Sequence, residues 1–412
     1  MRLRVVLAIG AVVVAAVLMA CPTVDRARVT EEGVEGIFND GRYRGTYEDR
    51  GDQQVSIQFH LKDNVLTDLS YRHLYHAGID YRDDHDHEQI VAIQRQHDRV
   101  LEYLEGKSLE AIYDLYDAGR VIGDEYDVDG ATGATVRTNK ILSAIKDGLN
   151  RDIYAPANGY EARVPAYQDG RYRGIFGDRG DQQVSIQFHV EDGEYRNLSY
   201  RHLYHAGINY RDDHDHEQIV AIQRQHEAIL SYLDGRPLSA AFDLHDPGMV
   251  IGTDHDVDGA TGATVRSNKV KSAIMNGLTR GIYVPPNGFE RILPEYTDGR
   301  YRGIYGDRGD QQVSVQFFVE DGEIRNVTYR HLYHAGIDYR DDHTDERIIA
   351  IVAQHESIAN YLDGRPVEAI YDLHFPGEVI DPAHDVDGAT GATVRANKVF
   401  SAIMDGLNRG VY

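Results

Sequence analysis

One sequence unit occurs three times in this chain, and this repetition limits the possible folds more than any other feature. The hexapeptide Asp-Gly-Arg-Tyr-Arg-Gly begins at Asp40 and returns at Asp169 and Asp298, each time 129 residues further on. A second motif, which ends at Thr135, recurs at the same interval, so no insertion interrupts a unit. A unit of this length can bury its own core, unlike the short repeats of a solenoid. The sequence therefore predicts a string of three tandem domains, at 34–154, 160–283 and 289–412.

Alternating hydrophobicity in the first half of each unit predicts β-strands. Val55, Ile57 and Phe59 alternate with polar residues, which is the period of a half-buried strand. A turn at Asp63-Asn64 follows, and a further strand is predicted over about 65–71. The second and third units have Asp-Gly at this turn, a stronger hairpin signal. An antiparallel sheet is therefore expected at the start of each unit.

Helical spacing replaces this alternation in the second half of the unit. Apolar residues from Ile90 to Leu104 recur at helical intervals and end before Gly106. Ser108 is placed to cap a second helix, and a last helix is predicted to begin near Val136. Strands followed by helices define the α+β class, so each domain is expected to be a small antiparallel sheet covered by helices.

The N-terminus has the layout of a bacterial secretion signal. Arg2 and Arg4 precede an uninterrupted run of small and apolar residues over 5–20. The run is shorter than the roughly 20 residues of a spanning helix, and it ends in a sequence similar to a lipobox, directly before Cys21. Residues 1–20 are therefore expected to be a lipoprotein signal peptide, and Cys21 the lipidated residue. The alternative is an uncleaved N-terminal helix anchor; both place the body outside the cytoplasm.

Composition excludes several classes of cofactor and partner. Cys21 is the only cysteine, which excludes disulfides, cysteine-ligated iron–sulfur clusters and covalent haem attachment through a pair of cysteines. The formal net charge of −24 would repel nucleic acid and anionic lipid headgroups. Any redox chemistry therefore needs another cofactor, and no nucleic-acid partner is expected.

A Gly- and Ala-rich motif directly precedes the last predicted helix of each unit. It reads Asp-Gly-Ala-Thr-Gly-Ala-Thr, from Asp129 to Thr135 in the first unit. Its small side chains leave the threonine hydroxyls open to a bulky group or a modifying enzyme. The unpaired amides and positive dipole end of the following helix would suit a phosphate. Alternatively, the same residues could form a Gly-rich turn with a threonine that caps the helix, without any functional role.

The motif resembles the Asp-x-x-(Ser/Thr)-Gly-Ala-Thr signature of the FMN-binding domains in the periplasmic subunits of Na⁺-pumping NADH:quinone reductase and Rnf complexes. The opening hexapeptide, the alternating strand, the hairpin and the closing helix follow in that family's order, so the resemblance covers 40–412. It implies that a FAD:protein FMN transferase attaches one FMN per domain, through its phosphate, to the last threonine of the motif. The implied acceptors are Thr135, Thr264 and Thr393.

The resemblance also implies which residues surround the three covalent FMN groups. The signature aspartates would be Asp129, Asp258 and Asp387, and the remaining motif residues would be Thr132, Thr261, Thr390, Gly133, Gly262, Gly391, Ala134, Ala263 and Ala392. The segment after the alternating strands helps to form the flavin pocket in that family. It supplies Tyr75, His76, Tyr204, His205, Tyr333 and His334 as candidates for contacts with the flavin ring, although an aromatic sheet edge explains them equally.

One departure from the family's pattern concerns the residues after the acceptor. The family often continues with x-Thr-Ser, whereas this chain has Val136-Arg137-Thr138. Two roles are open for Arg137, pairing with the FMN phosphate or lying on the surface of the first helical turn. The departure affects the expected contacts of Arg137 with the FMN phosphate, and it leaves the acceptor threonine unchanged.

These features together predict an exported electron-transfer lipoprotein. The expected partners are the transferase, a membrane-bound redox enzyme or quinol-linked donor, and the lipid bilayer through Cys21. A cluster of His and Asp over 83–88 favours a metal-binding lipoprotein as the main alternative, and a flavinylated reductase subunit is another. The Arg50-Gly51-Asp52 tripeptide is better explained by a turn than by adhesion, and the spacing after Asp127 does not fit a calcium loop.

Overall fold

The structure is a computed structural model of the chain. It describes the backbone of the short antiparallel strands β1 (Arg28–Thr30) and β2 (Gly33–Glu35). Backbone and side chains are described for 38–83, 85–123, 138–157, 164–165, 167–212, 215–251, 267–289, 291, 293–341, 343–380 and 396–412. The signal sequence and Cys21 lie outside these residues. Within the described ranges, no helix is both long enough and apolar enough to cross a membrane.

The first unit begins with an antiparallel sheet, as the alternation predicts. Neighbouring strands lie in the order β6-β5-β4-β3-β7. β7 pairs with β3, Gly41 opposite Pro156 and Arg42 opposite Ala155, so the end of the unit lies against the first strand of this sheet. The strands are β3 (Gly41–Asp49), β4 (Asp52–Lys62), β5 (Val65–His76), β6 (Ile79–Asp80) and β7 (Ala155–Pro156).

Helices follow the strands and cover the sheet. The last of them, α3, packs across β3 and β4, and the apolar residues of both surfaces form one buried core. The segment after Ser108 is a 3₁₀ helix, and the Ser108 side chain makes no capping hydrogen bond. The helices are α1 (Glu88–Leu104), the 3₁₀ segment Leu109–Tyr116, α2 (Ala118–Ile122) and α3 (Thr138–Asn150).

The second and third units repeat these elements, so the chain is an α+β protein with three antiparallel sheets. The second unit contains β8 (Gly170–Asp178), β9 (Asp181–Glu191), β10 (Glu194–His205), β11 (Ile208–Asn209), α4 (Glu217–Leu233), the 3₁₀ segment Leu238–His245, α5 (Pro247–Ile251) and α6 (Ser267–Thr279). The third contains β12 (Gly299–Asp307), β13 (Asp310–Glu320), β14 (Glu323–His334), β15 (Ile337–Asp338), α7 (Glu346–Leu362), β16 (Arg365–Pro366), the 3₁₀ segment Val367–His374, α8 (Pro376–Val379) and α9 (Ala396–Arg409).

The last tyrosine of each unit packs into a neighbouring unit. The backbone amide of Tyr154 donates to the Arg42 carbonyl in its own unit, at 2.7 Å. Its ring, however, stacks on Phe176 of the second unit, with centroids 5.7 Å apart, and belongs to that unit's core. Tyr283 likewise enters the core of the third unit, and Tyr412 that of the first. Each core is therefore completed by the preceding unit in a cyclic order.

Buried ion pairs follow the same cyclic order. Arg72 donates two hydrogen bonds to Asp178 of the second unit, and Asp178 has only 3% of its side chain exposed. The corresponding pair between the second and third units joins Arg201 to Asp307. Between the third and first units it joins Arg330 to Asp49. The three units form a closed ring.

The closing helices α3, α6 and α9 contact one another at the centre of this ring. Three arginines meet there, one at the end of each helix or just after it: Arg151, Arg280 and Arg409. The Arg409 Nη2 lies 3.2 Å from Asp147 of the first unit, while its Nε donates to Asp405 in its own helix at 2.9 Å. The buried charge of the first and third units is therefore paired across the centre.

One substitution at the centre is balanced by another. Asn276 stands in the second unit where the other two have aspartate, which leaves one carboxylate fewer. Glu48 of the first unit, whose counterparts are Gly177 and Gly306, supplies a third carboxylate. Burial raises the pKa of Glu48, while the arginines of all three closing helices lower it. With all groups ionised, three arginines then face three carboxylates, Asp147, Asp405 and Glu48.

Candidate cofactor site

The predicted attachment motifs lie outside the described residues, within 124–137, 252–266 and 381–395. These ranges contain the acceptors Thr135, Thr264 and Thr393 and the signature aspartates Asp129, Asp258 and Asp387. They also contain Thr132, Thr261, Thr390, Gly133, Gly262, Gly391, Ala134, Ala263 and Ala392. The described residues nevertheless fix the start of the closing helix, three residues after each acceptor.

The first residue of the closing helix is held by the neighbouring 3₁₀ segment. The Thr138 hydroxyl donates to the Leu115 carbonyl at 2.5 Å, and both residues are buried. In the second unit, Ser267 donates to the carbonyl of Leu244. The third unit has Ala396 at this position, which lacks the hydroxyl. The helix start is therefore tied to the rest of the unit by a side-chain hydrogen bond in two of the three copies.

A buried lysine lies at the third position of each closing helix. Lys140 is 7% exposed, and its Nζ donates to the Gln54 Oε1 at 2.5 Å. Lys269 makes the same bond to Gln183. Lys398, 7% exposed, takes the corresponding place in the third unit. A cation is thus fixed within the first turn of the helix, close to where an anion would meet the helix amides.

The histidines of the predicted ring-contact pairs lie beside these lysines. The Nδ1 of His205 is 3.4 Å from the Lys269 Nζ, and the Nδ1 of His334 is 3.5 Å from the Lys398 Nζ. His205 and His334 are the last residues of β10 and β14, as His76 is of β5. The structure therefore brings the end of this strand to the first turn of the closing helix, next to the predicted attachment motif in the sequence.

The tyrosines of the same pairs lie at a sheet edge. Tyr75 pairs with Asp80 in the short β5–β6 hairpin and stacks on His73, with ring centroids 5.8 Å apart. Tyr204 stacks in the same way on His202, and Tyr333 on His331. The sheet edge is therefore aromatic, which was the alternative to flavin contact for these residues. Contact with a flavin ring stays a prediction for these tyrosines.

His97, on the inward face of α1, is a packed core residue. Its Nδ1 lies 2.9 Å from the Ile93 carbonyl oxygen, and its ring contacts those of Tyr71 and Tyr81. Burial, with a smaller effect of the Lys140 charge, lowers the pKa of His97 to about 4. His226 and His355 are buried in the same way, and the pKa of each is also lowered to about 4. These histidines are neutral at physiological pH.

The His/Asp cluster that favours a metal site is only partly within the described residues. The Nε2 of His85 lies 2.6 Å from the Asp80 carbonyl oxygen, and His343 makes the same contact with Asp338. Asp84 and its counterparts Asp213 and Asp342 lie outside the described ranges. Within those ranges, no three His, Cys, Asp or Glu side chains are grouped closely enough to hold a metal ion.

The Arg-Gly-Asp tripeptide forms the β3–β4 turn, as predicted, and this turn contacts another unit. Gly51 has a φ of +91°, and its amide donates to the Gln311 Oε1 of the third unit at 2.6 Å. The ring of His331 lies 3.1 Å from the point where a Cβ on Gly51 would stand. A side chain at this position would therefore be strained and crowded, so glycine is required where two units meet.

The lysine at the start of the closing helix was not predicted from the sequence. A signal for it exists, because Lys140, Ala144 and Gly148 are spaced four residues apart and share one helix face. Ala144 and Gly148 are the residues that approach Gly45 of β3 most closely. A lysine on the face that packs against the sheet is placed for burial, and that burial distinguishes it from a surface lysine.

The fold and the site define an α+β protein of three repeated units, each with a buried lysine at the start of its closing helix. Comparisons of the chain with protein-family models, with curated proteins and with solved structures found no match.

Proposed function

We propose that the chain carries three FMN groups, each esterified to a threonine of one of three tandem FMN-binding domains. The acceptors are Thr135, Thr264 and Thr393. The observation that carries the proposal is the position of the motif, which ends three residues before a helix whose first turn contains a buried lysine in every unit. The motif supplies the hydroxyl, and the helix start supplies the electrostatic environment for an anion.

The charge at the helix start suits both parts of a flavin nucleotide. Helix amides and a lysine ammonium stabilise phosphate oxygens, and the same cation stabilises the negative charge of a reduced flavin. Lys140, Lys269 and Lys398 would serve this role, with the histidines at the strand ends as neighbours. Covalent attachment retains the cofactor in a compartment where free FMN is scarce.

An electron carrier fits the ring better than an enzyme with its own substrate. The flavin performs the redox chemistry itself, while the protein orients it and tunes its potential. The same ion pair, Arg72 with Asp178 and its two counterparts, joins every pair of units. Each flavin would therefore have the same relation to its two neighbours, and electrons could enter or leave at any of the three.

The N-terminal sequence supports a place for this carrier outside the cytoplasm. A signal peptide over 1–20 and a lipidated Cys21 would anchor it in a bacterial membrane, on the periplasmic or cell-surface face. A FAD:protein FMN transferase would load the flavins, and a membrane-bound redox enzyme or quinol-linked donor would reduce them.

The test is the intact mass of protein coexpressed with a flavin transferase in an exporting host, with in-gel flavin fluorescence after denaturation. We expect three added FMN groups, and the loss of one with each of Thr135→Ala, Thr264→Ala and Thr393→Ala. Thr328→Ala, which changes an exposed threonine on β14 outside the motif, is the matched control and should retain all three. Protein that stays colourless under these conditions would refute the proposal, and metal analysis would then test the His/Asp clusters. Oxidation of the bound flavin by an added substrate would instead indicate a reductase subunit.

A further inference from the structure

A cleft of about 570 Å³ lies between the second and third units, and three of its seven lining residues are arginines. Its volume is in the range of small-molecule sites. Arg201, His202 and Arg211 come from the second unit, and Arg308 comes from the β12–β13 turn of the third. The protein as a whole has a net charge of −24, so these arginines form a local region of positive charge.

Two of the arginines are held in fixed positions. Arg201 is engaged by Asp307, with hydrogen bonds of 2.6 to 2.9 Å. Arg211 donates from Nη1 to the Arg201 carbonyl at 2.6 Å, and from its backbone amide to the Asn209 Oδ1 at 3.1 Å. Its guanidinium is therefore ordered before any ligand arrives, which reduces the entropy lost on binding.

A single substitution distinguishes this cleft from the two related positions in the ring. Asn209 lines it, whereas the first and third units have Asp80 and Asp338 at this place. In the third unit the Asp338 Oδ1 lies 3.5 Å from the Arg340 Nε and so neutralises the arginine that corresponds to Arg211. The cleft between the second and third units has one carboxylate fewer.

Two acidic residues near the cleft, among those that the structure describes, accept hydrogen bonds from its lining residues. Asp307 accepts from Arg201, and Asp212 accepts from the Asn209 side-chain amide at 3.0 Å. Burial lowers the pKa of His202, and the charge of Asp310, on the turn that carries Arg308, opposes this with a smaller effect. Arg211 and Arg308 line the cleft from the two sides of the junction.

We propose that this cleft binds a small multivalent oxyanion, a di- or tricarboxylate or a phosphate ester, between Arg211 and Arg308. Guanidinium groups pair with such oxygens through two parallel hydrogen bonds, which favours carboxylates and phosphates over simple halide ions. Because the ligand bridges two units, binding stabilises their junction. The inference does not depend on the flavin, so protein without FMN serves for the test.

The experiment is calorimetric titration of the full chain, at low ionic strength, with citrate in one arm and pyrophosphate in the other. We expect one site per chain, and the tighter arm identifies the carboxylate or the phosphate class. Asn209→Asp should weaken binding by about tenfold or more, because it places a negative charge beside Arg211. Asp338→Asn should instead create a second site, between the third and first units.

A matched pair of arginine variants separates this cleft from the surface charge of the whole protein. Arg211→Gln should abolish saturable binding, whereas Arg82→Gln, at the corresponding place in the first unit, should leave it unchanged. Thermal melting of each variant checks that the fold is intact. Equal affinities for wild type and Asn209→Asp, or the absence of saturable binding in both arms, would overturn the proposal.

Discussion

Arg330 of the third unit donates two hydrogen bonds to Asp49 of the first, from Nε to Oδ1 at 2.7 Å and from Nη2 to Oδ2 at 2.6 Å. The two residues are 281 positions apart. The sequence predicted three tandem domains and gave no signal for a contact between the first and the third, which this pair joins. The hydrogen bond from Tyr116 of the first unit to the Val411 carbonyl closes the ring at the same junction.

Removing the charge of Asp49 should open this junction. Asp49→Asn leaves the guanidinium of Arg330 without its buried counter-charge, and losses of this kind cost about 3–5 kcal/mol. We expect the free energy of unfolding, measured by denaturant titration, to fall by about that amount. Amide hydrogen exchange should increase at β3 and β14, while the junction between the first and second units stays protected. Asp52→Asn, on an exposed residue of the adjacent turn, is the control, and an equal loss there would contradict the assignment.

Stability should fall as the pH is lowered from 6.5 towards 4. The pKa of His97 is lowered by burial from 6.5 to about 4, and the same holds for His226 and His355. Between these values the unfolded chain binds protons that the folded chain does not, so acid favours unfolding. Within this window, each buried histidine lowers the free energy of unfolding by about 1.4 kcal/mol for every pH unit of acidification. Above this window it adds no pH dependence.

The three related histidines provide the check on this pH dependence. Replacing any one of them with Gln should reduce the slope of unfolding free energy against pH, between 5 and 6, by about 1.4 kcal/mol per unit. Urea titrations at several pH values measure the slope. A slope unchanged in all three variants would show that these side chains are not the source of the acid sensitivity.

The fold class followed from the sequence because the hydrophobic period changes once within each unit. The alternation around Val55 predicted β4, and the helical spacing up to Leu104 predicted α1, with ends within a few residues of those observed. β3 gave no such signal, since glycines and arginines occupy much of it. Its role as a strand depends on α3, which packs on it. The cyclic contacts depend on pairs such as Arg72 and Asp178, which no local pattern connects.

The candidate site was predicted only in part, because its residues come from a strand and a helix that no local sequence pattern connects. The resemblance implied Tyr75 and His76 as ring contacts just after a strand ending near residue 71, but β5 extends to His76 and includes both. The structure puts the related His205 3.4 Å from a lysine of the closing helix. Lys140 itself was missed, because a single lysine in an amphipathic helix usually lies in solvent. Only the packing of α3 against β3 shows that this position is buried.

The close contact between β3 and α3 should make glycine irreplaceable there. A Cβ on Gly45 would lie 1.9 Å from the Ala144 carbonyl oxygen and 2.3 Å from the Gly148 amide nitrogen. Gly45→Ala must therefore displace the helix backbone, at an expected cost of about 3 kcal/mol or more. Gly377→Ala is the control, because nothing lies within 4 Å of its Cβ position. Thermal melting compares the two, and a normal melting temperature for Gly45→Ala would show that the helix lies further from the strand.

The buried lysine should raise the reduction potential of its flavin, if FMN is attached as proposed. A chain with Thr264→Ala and Thr393→Ala would carry one flavin, at Thr135, and Lys140→Met then removes the nearest cation of the helix start. A positive charge that stabilises the anionic reduced flavin by about 2 kcal/mol raises the reduction potential of a two-electron couple by about 45 mV. Spectroelectrochemical titration should therefore show a potential lower by about that amount.

The control is Lys146→Met, which removes a lysine of the same helix whose Nζ lies 4.6 Å from the Tyr113 ring centroid. This variant should leave the potential near its original value. Equal potentials in all three proteins would mean that Lys140 does not face the flavin, even where the mass shows that the flavin is bound.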